Sequence, residues 1–303
     1  MALHVVFGAG QIGANLARTL AARGHTVRVV RRSARPIDGT SIEVVAGDAM
    51  DPTFAIRASE GASVIYHCMN PSAYTAAAWT DEFPRQGAAL IAAALAHDAL
   101  LVCLDNLYGY GEVERRTEES PLAATGPKGR VRIAWDATLR STAGLRYAVG
   151  RAGDFFGPGA ADNSLFSPKM IEGLRRGDTA WLIGDATVPH AFGFVPDVVA
   201  GLAALGEADA RGVYHLPMIE VPPGELVSAL AAAAGSSARA RALPAWSVNL
   251  LGVAVPLFRE LRETLYQWDR PFHADDAKFR ARFPGVGHTL EGAVAATMGR
   301  AAA

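Results

Sequence analysis

The chain opens with five residues of strand character, Leu3-His4-Val5-Val6-Phe7, that run directly into Gly8-Ala9-Gly10-Gln11-Ile12-Gly13. Few beginnings leave so little choice of architecture. A glycine at the first position permits a tight turn. One at the third lets backbone amides approach a pyrophosphate, and one at the sixth lets the next helix pack close to the strand. Ile12, Leu16 and Leu20 recur at helical spacing with Arg18 and Arg23 on the opposite face. The turn therefore ends in a helix N-terminus, where free N–H groups and the dipole favour an anion. Gly8, Gly10, Gln11, Ile12 and Gly13 are candidate contacts to a dinucleotide. The competing reading is a glycine-rich joint with no ligand.

The second strand, Thr26-Val27-Arg28-Val29-Val30, is followed by Arg31 and Arg32, with Arg35 nearby. An acidic side chain at this point would accept from a ribose 2′-hydroxyl and repel a 2′-phosphate. Guanidinium groups match phosphate geometry instead. The expected cofactor is NADP(H) rather than NAD(H), against the alternative that these are ordinary solvated arginines.

Apolar strands at 3–7, 26–30, 42–45, 63–68, 100–104 and 145–150 alternate with helical patterns at 12–23, 54–58, 82–97 and 130–142. That rhythm predicts an α/β fold, a Rossmann-like doubly wound parallel sheet with the ligand at the carboxyl ends of its strands. Prolines then punctuate shorter elements, with helices expected at 166–176, 196–205, 223–234, 245–251 and 255–266. The expected division is a dinucleotide-binding domain over 1–155 and a smaller C-terminal substrate-binding region over 156–303.

The formal net charge of −1 argues against nucleic acid or an anionic membrane surface as partner. Cys68 and Cys103, the only cysteines, lie in apolar runs and read as core thiols of a reducing compartment. Strand character from the first residues leaves no room for a signal peptide, and no apolar run reaches membrane-spanning length. A cytoplasmic protein with a small-molecule substrate is the expectation. No Cys/His cluster has metal-ligand spacing, and no G-x-S-x-G elbow occurs.

Five further segments fall in a telling order. Gly47-Asp48-Ala49-Met50-Asp51 follows the third strand, and Tyr66-His67-Cys68-Met69-Asn70 ends the fourth. Leu107-Tyr108-Gly109 follows the fifth. Arg151-Ala152-Gly153-Asp154-Phe155-Phe156-Gly157-Pro158-Gly159 follows the sixth, and Ile183-Gly184-Asp185 precedes His190, Phe194, Pro196 and Asp197. With the opening turn, these resemble the extended short-chain dehydrogenase/reductase superfamily, in its NAD-dependent epimerase/dehydratase group, almost end to end. The resemblance implies that Asp48, beside Ala49, meets the adenine amine. It implies that Cys68, Met69 and Asn70 line the nicotinamide-ribose side. Asp154 and Phe155 fall where the chain crosses toward the substrate region, His190 suits either the pocket rim or a satisfied structural histidine, and the long helices at 82–97 and 130–142 suit a homodimer.

The departures are as informative. The Tyr-x-x-x-Lys pair of that superfamily is absent. Lys128 stands at the tyrosine position and Arg132 at the lysine position, four residues apart on one helical face. Leu104-Asp105-Asn106 replaces the expected serine or threonine. The Lys-x-x-x-Arg pattern is similar to the isoflavone reductase and phenylcoumaran benzylic ether reductase branch, where a lysine replaces the tyrosine. A lysine near Arg132 and a cationic nicotinamide would have its ammonium form disfavoured, which suits proton transfer. Arg132 would then fix the cofactor.

Tyr108 and Tyr110 are alternative acids or walls of the substrate site. Asp105 and Asn106 suit orienting a hydroxyl or capping the loop. Tyr74, with Trp79 and Phe83, suits an aromatic substrate or a helix face packed on the sheet. The leading expectation is an NADP(H)-dependent oxidoreductase moving a hydride to or from a carbonyl, imine or activated carbon, with Lys128 handling the proton and Tyr108 in reserve. The alternatives are a sugar-nucleotide epimerase or dehydratase, and an NADP(H) sensor that has lost the chemistry.

Overall fold

The computed structural model describes residues 2–253 and 255–299. The chain divides into two compact units. Unit 1 holds residues up to Gly109, Ala124–Arg151 and Val198–Leu216; unit 2 holds Tyr110–Ala123, Ala152–Asp197 and the residues from Pro217 on.

Unit 1 is built on a seven-stranded sheet: β1 (Leu3–Phe7), β2 (Thr26–Arg31), β3 (Glu43–Ala46), β4 (Val64–His67), β5 (Leu100–Asn106), β6 (Tyr147–Ala152) and β7 (Gly212–His215). The spatial order is β7-β6-β5-β4-β1-β2-β3, and the registered pairs β1–β2, β1–β4, β2–β3, β4–β5 and β6–β7 are all parallel. The order reverses between β1 and β4, which is the switch point where such sheets open a crevice at their carboxyl ends. Parallel strands covered on both faces need continuous apolar runs; Val5, Phe7, Ile65, Leu101, Cys103 and Val149 accordingly share one buried core.

Helices α1 (Gly13–Ala22), α2 (Pro52–Ala58), α3 (Ala76–Ala96) and α4 (Pro127–Ser141) connect the strands. Asp51 caps α2 by accepting from the Thr53 amide, and Pro52 and Pro127 occupy first-turn positions where a missing N–H costs nothing. The expected helix at 82–97 starts earlier, at Ala76. Thr75 caps it through the Ala78 amide, and three alanines carry it into Pro84, which the helix tolerates in its interior. Close approach of α3 and α4 depends on Gly87, where a Cβ would lie 2.4 Å from the Trp135 ring. Strand β7 was not expected from the sequence.

Unit 2 contains a three-stranded sheet with His190–Phe194 at its centre. That strand pairs antiparallel with Ile219–Val221 and parallel with Asp154–Phe156. A parallel pair joins Ala180–Ile183 to Ala240–Leu243. Phe156, Phe166, Phe192 and Phe194 form its aromatic core with Leu182, Leu226 and Leu230. Among the described residues, no helix is long and apolar enough to cross a membrane.

Candidate functional site

The glycines of the opening turn are required for different reasons. Gly8 has φ of +99°, and a Cβ on it would lie 2.7 Å from the Cys68 carbonyl oxygen. A Cβ on Gly13 would lie 1.9 Å from the Gly8 carbonyl oxygen and force α1 away from β1. A Cβ on Gly10 meets nothing within 4 Å. Open space therefore lies over the backbone at the residue where a pyrophosphate must come close. No side chain caps the N-terminus of α1, so the positive end of the helix dipole is left for a ligand. Gln11 is half-buried and Ile12 buried at this helix start. Tight where the backbone packs and open at Gly10, the turn fits a dinucleotide.

At the end of β2, Arg31 is half-buried and donates from Nη1 to the Arg35 carbonyl at 3.3 Å. Arg32 and Arg35 are exposed, with Arg35 3.4 Å from Asp38. After β3, exposed Asp48 accepts the Met50 amide at 2.9 Å through one oxygen, closing the turn beside half-buried Ala49.

The ends of β4 and β5 meet the start of α4 in a different environment. Half-buried Cys68 and Met69 follow β4, and burial pushes the Cys68 thiol up to about 12, so it is an inert thiol. Asn70 is exposed, and its Oδ1 accepts from Arg132 Nη2 at 3.4 Å. Arg132 itself is buried. Its Nη1 is 3.1 Å from Asp105 Oδ1, and its guanidinium lies 4.0 Å from the Phe83 ring centroid and 4.8 Å from that of Trp79. Burial lowers the Arg132 pKa and Asp105 opposes the shift. The other oxygen of Asp105 takes Arg151 Nε at 3.3 Å, and Arg151 Nη2 donates to Asp136 at 2.8 Å. Arg140 Nε closes the chain on Asp136 at 2.5 Å. Two buried arginines thus share two carboxylates, an arrangement that compensates charges held out of water.

Lys128 is fully buried one turn earlier on α4. Its Nζ is 4.6 Å from the ring centroid of Tyr74, whose hydroxyl donates to the Tyr108 hydroxyl at 3.2 Å. Both tyrosines are half-buried. Asn106 Oδ1 accepts the Tyr108 amide at 3.1 Å and fixes the turn that carries it. The next residue on α4 must be small: a Cβ on Gly129 would lie 2.3 Å from Ala124 and 3.0 Å from the Tyr108 carbonyl. Behind this group, burial and then the charge of Arg132 pull His67 down to about 3. Its Nδ1 accepts the Met69 amide at 3.3 Å, so the proton sits on Nε2.

The structure therefore brings together Lys128, Tyr108, Tyr74, Asn70, Arg132 and Asp105, with Asn106 beside them. Of the two readings of Trp79 and Phe83, the packed helix face is the observed one: both are buried, 4 % and 1 % exposed, beneath the Arg132 guanidinium. Arg151 and Asp136, not singled out from the sequence, complete the ion network. Arg151 signalled itself as a charge inside an apolar strand, whereas Asp136 lies on a helix rich in charges and gave no such signal.

Tyr110, Asp154, Phe155 and His190 belong to unit 2. Tyr110 is buried in the short turn Tyr108–Tyr110. His190, also buried, bridges the Gln267 carbonyl (Nδ1, 2.9 Å) and Asp154 (Nε2, 3.0 Å). It stacks on Trp268 at 4.0 Å. Phe155 is half-buried next to Asp154. Among the described residues, no group of three or more His, Cys, Asp or Glu is placed to hold a metal ion.

Solved structures share this fold over nearly the whole chain. A dTDP-glucose 4,6-dehydratase from Streptomyces venezuelae, with NAD bound, is 22 % identical at a TM-score of 0.77, over 98 % of this chain and 95 % of that one. The UDP-glucose 4-epimerase of Thermus thermophilus, in complex with NAD, is 21 % identical at a TM-score of 0.76, over 98 % of each. A UDP-glucuronic acid 4-epimerase from Bacillus cereus, also with NAD, is 15 % identical at 0.75, over 98 % of this chain and 96 % of that one. No curated protein matches the sequence. The family model described as NAD dependent epimerase/dehydratase family matches residues 4–216, more than half of the chain and the whole run from β1 to β7. The chain belongs to the NAD dependent epimerase/dehydratase family.

Proposed function

We propose that unit 1 binds a nicotinamide dinucleotide and that the chain catalyses hydride transfer at a carbon bearing a hydroxyl or carbonyl oxygen. One observation carries this: the turn from Gly8 to Gly13 is closed to side chains at both ends, open at Gly10 and followed by an uncapped helix. The turn amides would hold the pyrophosphate, Asp48 the adenine amine, and Cys68, Met69 and Asn70 the nicotinamide side. When bound, the dinucleotide supplies the hydride donor or acceptor. The residues around it orient the substrate and move the proton, which in this site falls to the group formed by Lys128, Tyr74 and Tyr108. Arg132, committed to Asn70, Asp105 and two aromatic faces, acts by holding Asn70 in place.

The favoured substrate class is a nucleotide sugar, with the cofactor oxidised and restored within one turnover. Its support is the end-to-end likeness to a dehydratase and to epimerases that act on such compounds. A second reading is net NADP(H)-dependent oxidation or reduction of a small molecule. It is favoured by Arg31, Arg32 and Arg35 at the end of β2, where the residues directly after the strand are arginines rather than an acidic side chain. The Lys128–Arg132 pair, similar to the isoflavone reductase branch, points the same way.

Incubating the protein with NADPH or NADP⁺ and a panel of nucleotide sugars and simple ketones separates these readings. Conversion of a nucleotide sugar with no net change in nicotinamide absorbance supports the first. Net NADPH consumption supports the second. Absence of dinucleotide binding contradicts both.

A further inference from the structure

The family's tyrosine is missing from α4, yet two phenols stand beside the lysine in its place. Tyr74 follows β4 and Tyr108 follows β5, so two different loops deliver them to one spot. Their hydroxyls are 3.2 Å apart, with Tyr74 donating and Tyr108 accepting. Trp79 fixes both rings, stacked on Tyr108 at 6.0 Å and edge-on to Tyr74 at 5.9 Å. The buried Lys128 Nζ is 4.6 Å from the Tyr74 centroid. Within unit 1, Arg132, from the same helix as Lys128, interacts electrostatically with Tyr108, and Asp105 on β5 is paired with Arg132 and Arg151. Helix α3 presents Trp79 and Phe83, which carry no charge.

We propose that Tyr108 is the catalytic acid/base and that Tyr74 and Lys128 are positioning residues that stabilise its phenolate. The proposal rests on the hydride-transfer reading above. In the reductive direction the carbonyl carbon of the substrate takes a hydride from the reduced nicotinamide. The carbonyl oxygen takes the Tyr108 proton, so the carbonyl becomes an alcohol and the cofactor is oxidised. The phenolate left on Tyr108 keeps the O–H donated by Tyr74, and the charge of buried Lys128, set against the Tyr74 ring, favours the anionic form of the coupled phenols. Alcohol oxidation runs through the same atoms in reverse. The division of labour found in a Tyr-x-x-x-Lys pair is thus rebuilt from two loops and a helix, with the lysine one turn away from its usual place.

Tyrosinate absorbance, followed against pH in the full chain without cofactor, tests the couple. One of the seven tyrosines should ionise below the rest. That step should vanish in Tyr108→Phe and move up by about one pH unit or more in Tyr74→Phe and in Lys128→Met. Circular dichroism checks that each variant is folded, and Tyr74→Phe keeps the ring and its packing. An early step that survives Tyr108→Phe overturns the proposal. So does a step unmoved by either positioning variant, or no early step at all. Fluorescence titration with NADPH and NADH runs alongside: a wild-type protein that binds neither sinks the proposed function, while the phenol titration still decides the couple.

Discussion

Arg132 and Arg151 are buried in unit 1 and share the carboxylate of Asp105, whereas Arg32 and Arg35, at the end of β2 in the same unit, face water. The Arg132 side chain is 4 % exposed and that of Arg35 69 %. One side chain type is used in opposite ways. The buried pair is architecture: its charges are already committed to carboxylates and aromatic faces, and it sets the ends of β5, β6 and α4 in register. The exposed pair is barely engaged by the protein: Arg35 meets the solvated carboxylate of Asp38, and Arg32 acts on Glu82 through its charge. A charge in that state remains available to an anion that arrives later.

Breaking the buried half should have the largest effect. Asp105→Ala leaves two buried guanidiniums without their shared partner, and chemical denaturation should report a drop in stability of about 3–5 kcal/mol. A drop below about 1 kcal/mol would mean that the network is solvated and the contrast false.

Acid should expose the same low-dielectric region. His67 is pulled down to about 3, by burial first and by Arg132 second, against 6.5 for an ordinary histidine. Between those two values the unfolded chain binds the extra proton, so stability rises with pH in that window. The contribution is full above about pH 6.5 and fades as pH falls toward 3. By about pH 4.5 the decrease should be about 3 kcal/mol, and His67→Gln should remove that part of the slope. A wild-type denaturation midpoint equal at about pH 7 and about pH 4.5 would contradict the buried, neutral ring.

The exposed half should matter to ligand and little to folding. Replacing Arg31 and Arg32 by uncharged residues should weaken NADPH binding by about 1–3 kcal/mol for each charge-assisted hydrogen bond removed, and leave NADH nearly unchanged. Calorimetry with both dinucleotides checks this, and equal weakening would remove the 2′-phosphate from the picture. Smallest of all, Arg35→Ala should change stability by no more than about 0.5 kcal/mol, because its ion pair with Asp38 is solvated. A larger change in denaturation would show a structural role hidden from the geometry.

Most of unit 1 was legible because its strands are buried on both faces and read as unbroken apolar runs between turns. The glycine turn carried its own geometry in three residues. Strand β7 was not legible: four residues, Gly212–His215, arrive after the helix Val195–Glu207 and have no alternation or length to mark them. The true start of α3 was hidden by Pro84, a residue that ordinarily argues against helix on its N-terminal side. Asp105 and Arg132 stood out separately, but no sequence pattern joins Asp105 to Arg151, 46 residues away, or places both arginines on one carboxylate. The approach of Tyr74 to Tyr108 likewise belongs to the sheet order, since neighbouring strands β4 and β5 deliver their following loops side by side. In unit 2 the bridge from Gln267 through His190 to Asp154 spans segments too far apart for spacing to reveal.

Whether a nicotinamide dinucleotide lies across the turn from Gly8 to Gly13 is answered, without any substrate, by calorimetric titration of the purified full chain. Saturable binding at one site per chain, tighter for NADPH than for NADH and abolished by Gly13→Val, is the expected result. A flat titration with both dinucleotides, or affinity untouched by that substitution, would contradict the account.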